Sequence, residues 1–115
     1  MAEWVVLELT PQGEDEDPEV LRRSISRMIK GPKEIFIPAS IITLGHSRSV
    51  YKLIENYVFI KRNIPDSIFF KLENTKYIAS VLTVTDRYSR RIAPVYDKNI
   101  EQMKTQLRVE TDQGI

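Results

Sequence analysis

Few residue types in this 115-residue sequence could do covalent chemistry, and they lie far apart. The only histidine, His46, stands in Gly45-His46-Ser47, a turn-forming stretch with no Asp or Cys at ligand spacing. It reads as an exposed turn residue rather than a ligand or a base. There is no cysteine, so thiolate nucleophiles, disulfides and thiolate metal sites are excluded. The glycines Gly13, Gly31, Gly45 and Gly114 are too scattered for a phosphate-cradling loop. Carboxylates bunch only at Glu14–Asp17, where no apolar pocket is implied that would raise a pKa. Four acids there suit a solvated approach to a helix N-terminus, whose dipole favours negative charge. A Ser-His-Asp arrangement would have to use His46, and no local motif speaks for it. The expectation is a protein that is not an enzyme and needs no metal and no cofactor.

The cations are better organised. Arg22, Arg23 and Arg27 fall along one helical stretch, and Arg87, Arg90 and Arg91 cluster around Tyr88 in a polar loop. Such groups suit nucleic-acid phosphates or acidic loops of a protein partner, and equally a solvated surface. The whole-chain balance is 17 Lys plus Arg against 16 Asp plus Glu, a net charge of +1. That argues against a protein that grips nucleic acid mainly by charge. No apolar run approaches the length of a membrane span, and Met-Ala-Glu-Trp lacks the basic start and apolar core of a signal peptide. No membrane partner is expected, and the simplest location is the cytoplasm.

Some elements must position these side chains. The densest apolar run is Lys52–Arg62, bounded by charge. Its Val, Ile, Phe and Tyr residues favour a pleated strand. Alternation puts Tyr57 and Phe59 on one face, and Val58 and Ile60 on the other. Both faces are apolar, so both need a cover. Trp4–Leu9 reads as a second, central strand, ended by Thr10–Gly13. Pro18–Lys30 is the first helix, with Asp17 as N-cap, an apolar stripe of Val20, Leu21, Ile25, Met28 and Ile29, and a stop at Gly31-Pro32. Glu34–Pro38 is a short strand. Ser40–Leu44 and Arg48–Ile60 form a hairpin across the Gly45–Ser47 turn, and Ser67–Asn74 is a two-turn helix. Tyr77–Thr85 is a strand, and Ile92–Val95 a further extended piece. Asp97 caps a last helix to about Leu107, with Ile100, Met103 and Leu107 at helical spacing. Residues 1–108 form one domain, and 109–115 a tail or the start of a linker.

This order predicts an α+β sandwich with the helices on one sheet face. The other face would then stay open and carry Tyr57 or Val58, depending on registry, and an exposed apolar patch normally marks a protein–protein site.

Several landmarks, in order, resemble the N-terminal (NGN) domain of the NusG family of transcription elongation factors. Trp4-Val5-Val6 resembles the family's opening Trp-Tyr-Val strand, and Glu34–Pro38 its Glu-Val-x-Val-Pro strand. Leu53–Ile60 is similar to the Leu-Phe-Pro-Gly-Tyr-Val-Phe-Val signature, with Glu55-Asn56 in place of Pro-Gly. Asn74-Thr75 stands where the family has Asn/Thr-Pro-Gly-Val. Arg91–Asp97 before a helix resembles the closing Pro-Val-Pro-x-Ser/Asp-x-Glu. The likeness covers roughly residues 3–108 and extends to specialised RfaH-like paralogues, which also carry Asn at the position of Asn56.

The resemblance implies an antiparallel four-stranded sheet with helices packed on it. It implies docking on the clamp helices of the large RNA polymerase subunit, with effects on pausing, processivity and antitermination. Carried over by position, Leu53, Ile54, Tyr57 and Phe59 match the family's clamp-facing residues, and Trp4 matches a residue of the neighbouring strand. A sheet-core role competes for Trp4, Tyr57 and Phe59. Non-template DNA is an implied partner, but the acids of Glu14–Asp17 stand where RfaH-like factors are basic. In the family a KOW barrel normally follows this domain. A monomer is expected. Two rival readings stay open: a free-standing nucleic-acid-binding α+β module, and a homodimer that closes its own sheet face.

Overall fold

The computed structural model describes residues 3–30, 34–52, 54, 56–85 and 87–114. In chain order the elements are β1 (Glu3–Leu9), α1 (Pro11–Asp15), α2 (Pro18–Met28), β2 (Ile35–Phe36), β3 (Ala39–Leu44), β4 (Ser47–Lys52), β5 (Tyr57–Lys61), α3 (Asp66–Phe70), β6 (Ile78–Val81), β7 (Thr83–Thr85), β8 (Arg90–Ile92), β9 (Val95–Tyr96) and α4 (Asp97–Gly114). The architecture is α+β.

The main sheet is antiparallel and runs β2-β5-β1-β6, the four strands expected, with β9 as a fifth on β1. β1 is central because both of its faces are apolar: Val5 and Leu7 are buried on one side, Trp4 and Val6 on the other. Its register against β5 pairs Val6 with Phe59 and Leu7 with Val58. The alternation expected for β5 is present. Val58 and Ile60 enter the larger core, while Tyr57 and Phe59 turn to the opposite face.

The larger core is built from α2 and α3. Leu21 and Ile25 of α2, and Phe69 and Leu72 of α3 and its following turn, close over Val5, Leu7, Val58 and Ile60. α2 begins as the sequence dictates, with the Asp17 carboxylate accepting from the Glu19 amide at 2.8 Å and Pro18 at the first position. Thr10 and the acidic run do more than form a loop. Thr10 caps the short helix α1, and its hydroxyl accepts from the Gly13 amide at 3.0 Å. Gly13 is buried, and a Cβ there would collide with the Tyr77 carbonyl, so the close approach of α1 to the chain before β6 requires glycine.

Four expectations are corrected. The helices do not share one face: α4 lies on the opposite side from α2 and α3, where Ile100 is buried with Trp4, Val6 and Phe59. The strand expected over Arg48–Ile60 is two strands, β4 pairing only with β3 and β5 joining the main sheet. Tyr77–Thr85 likewise divides at Leu82, whose amide bonds back to Val6 O at 2.9 Å while its carbonyl accepts from Ala93 at 3.1 Å. A one-residue change of partner thus diverts the chain from the sheet into a separate ribbon, β7–β8. Finally, the last helix continues through Gly114 rather than ending near Leu107. The Gly31-Pro32 helix stop lies outside the described residues.

Candidate functional site

Two surfaces hold the residues singled out from the sequence. The first is the α4 side of the sheet. Trp4 and Phe59 are 4% and 6% exposed beneath Ile100. The Trp4 indole Nε1 donates to Asp97 Oδ1 at 2.6 Å, tying β1 to the first turn of α4. The Tyr96 amide donates to Asn99 Oδ1 at 3.1 Å and secures the same turn. Around this sealed centre runs a half-buried rim of Phe36, Tyr57, Val95 and Met103. Phe36 meets Phe59 with ring centroids 5.9 Å apart and tilted planes, and Lys104 Nζ sits 5.6 Å from the Phe36 centroid.

The predicted group therefore separates. Tyr57 reaches the surface, Phe59 and Trp4 lie behind it, and Ile54 is half-buried with its amide bonded to Pro38 O at 3.4 Å. Leu53 lies outside the described residues. Phe36 and Met103 were not singled out for this surface. Phe36 carried a signal, an aromatic on a short strand closed by Pro38, whereas Met103 read only as helix core.

The second surface is basic and divided. Arg22 Nη1 donates to Ile35 O at 2.6 Å, which holds α2 to β2. Arg23 and Arg27 are exposed on the outer side of α2, beside Lys30, Lys76 and Tyr77. Arg87, Arg90 and Arg91 belong to the β7–β8 ribbon instead. Arg90 is engaged by the Glu73 carboxylate through both Nη atoms, and its guanidinium carbon lies 5.0 Å from the Phe70 centroid. That pairing holds Glu73 below the usual carboxylate range, the Arg90 hydrogen bond contributing most. The six arginines thus form two separate groups, with Arg22 and Arg90 committed to internal contacts.

The acids are committed too. Glu16 accepts from the Asp17 amide at 2.9 Å and from the Tyr77 hydroxyl at 2.9 Å, and its pKa is lowered chiefly by the first of these bonds. Asp66 and Glu3 share Arg62, at 2.6 and 2.7 Å, and the Arg62 hydrogen bond lowers the Asp66 pKa. Among the described residues no group of three or more His, Cys, Asp and Glu side chains could hold a metal ion. His46 is exposed in the β3–β4 turn. No helix among the described residues is long and apolar enough to cross a membrane.

An antiparallel sheet held between helices on both faces, with an aromatic rim beside the last helix, defines an NGN-like α+β domain. The model of the NusG family, described as transcription termination factor nusG, matches residues 2–104, nearly the whole chain. The chain belongs to the NusG family, a family of transcription factors. Compared with curated protein sequences, it matches none.

Proposed function

We propose that this domain binds RNA polymerase at the clamp helices of its large subunit and modulates pausing, processivity and antitermination in the cytoplasm. It acts as a monomer without catalytic chemistry of its own. The observation that carries this reading is the half-buried rim of Phe36, Tyr57 and Met103 on a chain of this family. A convex helical tip needs a shallow apolar surface with aromatic anchors, and aromatics held partly exposed are common hot spots. In this reading Tyr57, Phe36, Ile54 and Met103 meet the partner. Trp4 and Phe59 support them from behind, because α4 covers both.

Arg23 and Arg27 are exposed and have no ion pair among the described residues, which favours an electrostatic contact alongside the rim, with non-template DNA or an acidic polymerase loop. Retention on immobilised core RNA polymerase tests the proposal. Tyr57→Ala is expected to weaken binding by about tenfold or more while leaving the fold intact, a loss typical of an interface anchor. Binding equal to the parent would reject the assigned surface. A salt titration separates the contributions, since the arginine contact must weaken steeply with salt and the rim contact must not.

A further inference from the structure

Three cross-strand rows lie on the α4 face of the main sheet. Trp4 stands between Lys61 and Val95, Phe59 between Val6 and Phe36, and Glu8 between Tyr57 and Ser80. The faces agree with this placement, since Leu7 and Leu9 on either side of Glu8 enter the larger core together with Val81 and Ile78 opposite them. Asp97, at the start of α4, is bonded to Trp4, and Lys104, further along it, lies over Phe36 at the sheet edge. The helix therefore crosses the first two rows and not the third, where Glu8, Tyr57 and Ser80 are all half-buried.

The phase of the ladder brings Glu8 and Tyr57 close. Arg62 N donates to Glu3 O at 2.8 Å, and Leu9 N donates to Asn56 O at 2.9 Å. Bonded and non-bonded pairs alternate between these two, which makes Glu8–Tyr57 a non-bonded pair, the kind whose side chains stand nearer. Cβ atoms of directly opposed residues are about 4.5–5.5 Å apart. A carboxylate and an aromatic ring thus sit side by side on the row that α4 does not cross. Glu8 Oε2 accepts from the Ser80 hydroxyl at 3.1 Å. Unlike Asp66 and Glu73, Glu8 has no cation within ion-pair distance among the described residues. The other charges of this face are matched, Lys61 with Glu34 at 3.4 Å and Lys104 with Glu101 at 3.7 Å.

We propose that Glu8 sets the specificity of the rim by receiving an arginine that the helical partner carries beside its apolar tip. The proposal rests on the polymerase reading and adds the chemistry that the partner must present. A guanidinium is the group that fits, because it pairs with a carboxylate through two N–H groups while its plane stacks on an aromatic ring. Glu8 supplies the carboxylate and Tyr57, one strand away, the ring. Ser80 holds one carboxylate oxygen in place. Docking strips water from this half-buried acid, which is unfavourable unless a cation replaces it, so the site selects against a neutral or acidic tip. Nucleic-acid phosphates are repelled here, and a DNA contact falls to Arg23 and Arg27 on the other side of the sheet.

The test is retention on immobilised core RNA polymerase, with Tyr57→Ala measured in parallel. Glu8→Gln keeps the size of the side chain and an acceptor for Ser80, and should weaken binding about tenfold. Glu8→Arg sets like charges against each other and should weaken it about a hundredfold. Both variants should keep the circular dichroism spectrum of the parent. The second arm uses core polymerases in which single clamp-helix arginines are reversed to Glu. One of them should bind Glu8→Arg better than it binds the parent, an exchange of preference that a merely structural role for Glu8 would not produce. The proposal is overturned if Glu8→Gln and Glu8→Arg bind as the parent does while Tyr57→Ala does not, which leaves the polymerase reading standing, or if no reversal restores Glu8→Arg. If Tyr57→Ala also binds as the parent does, both fall together.

Discussion

The two faces of the main sheet are covered by different means. On one face α2 and α3 close completely over Val5, Leu7, Val58 and Ile60, and Phe69 and Ile25 have no exposed surface. On the other, α4 seals only the middle, over Trp4, Val6 and Phe59, and leaves Phe36, Tyr57, Val95 and Met103 half-exposed. The first face has room only for stability. The second divides its aromatics between a buried pair beneath the helix and a half-exposed rim, and the proposed partner contact uses that rim.

Substitutions should break this contrast in a graded way. Phe69→Ala empties the fully covered face and is expected to cost about 3–5 kcal/mol, read as a lowered urea midpoint by circular dichroism. Ile100→Ala on the α4 face should cost somewhat less, about 2–4 kcal/mol, because the surrounding rim can settle into the space. Trp4→Phe removes the bond to Asp97 while keeping an aromatic ring, for a loss of about 1–2 kcal/mol in the same measurement. Tyr57→Ala should cost stability less than Trp4→Phe does, since the side chain is only half-buried. A large loss at Tyr57 and none at Trp4 would invert the assignment of support and contact residues.

The smallest effect is one of pH. Asp66 and Glu73 are held below the usual carboxylate range by Arg62 and Arg90, so folding stabilises their ionised forms. Their contribution is complete above the ordinary carboxylate pKa of about 4 and is lost as pH falls through the lower folded values. Asp66 is well exposed, so its share is small. Arg90→Ala should flatten the acid limb of the stability curve measured between neutral pH and pH about 2.

Much of this arrangement was legible in the sequence. Asp17-Pro18 marked the start of α2, and the alternation in Tyr57–Ile60 assigned each side chain to its correct face. What a stripe of Ile100, Met103 and Leu107 cannot reveal is which sheet face it will cover. Both faces of β1 and β5 were apolar, so local pattern left that choice to the chain's path through β8 and β9. The split at Leu82 was equally hidden, because Tyr77–Thr85 is strand-forming throughout and only the bonds to Val6 and Ala93 divide it. For the site, Tyr57 was readable as an aromatic on a two-faced strand. The separation of Arg22 and Arg90 from the other arginines depended on long-range contacts with Ile35 and Glu73.

The bond between Trp4 and Asp97 has a practical consequence. Trp4 is the protein's sole tryptophan, so its emission arises from one place, the seam where the first strand meets the last helix. A partner that only settles on the rim should leave the colour of that emission unchanged, whereas one that pries the helix away should shift it to the red as water reaches the indole.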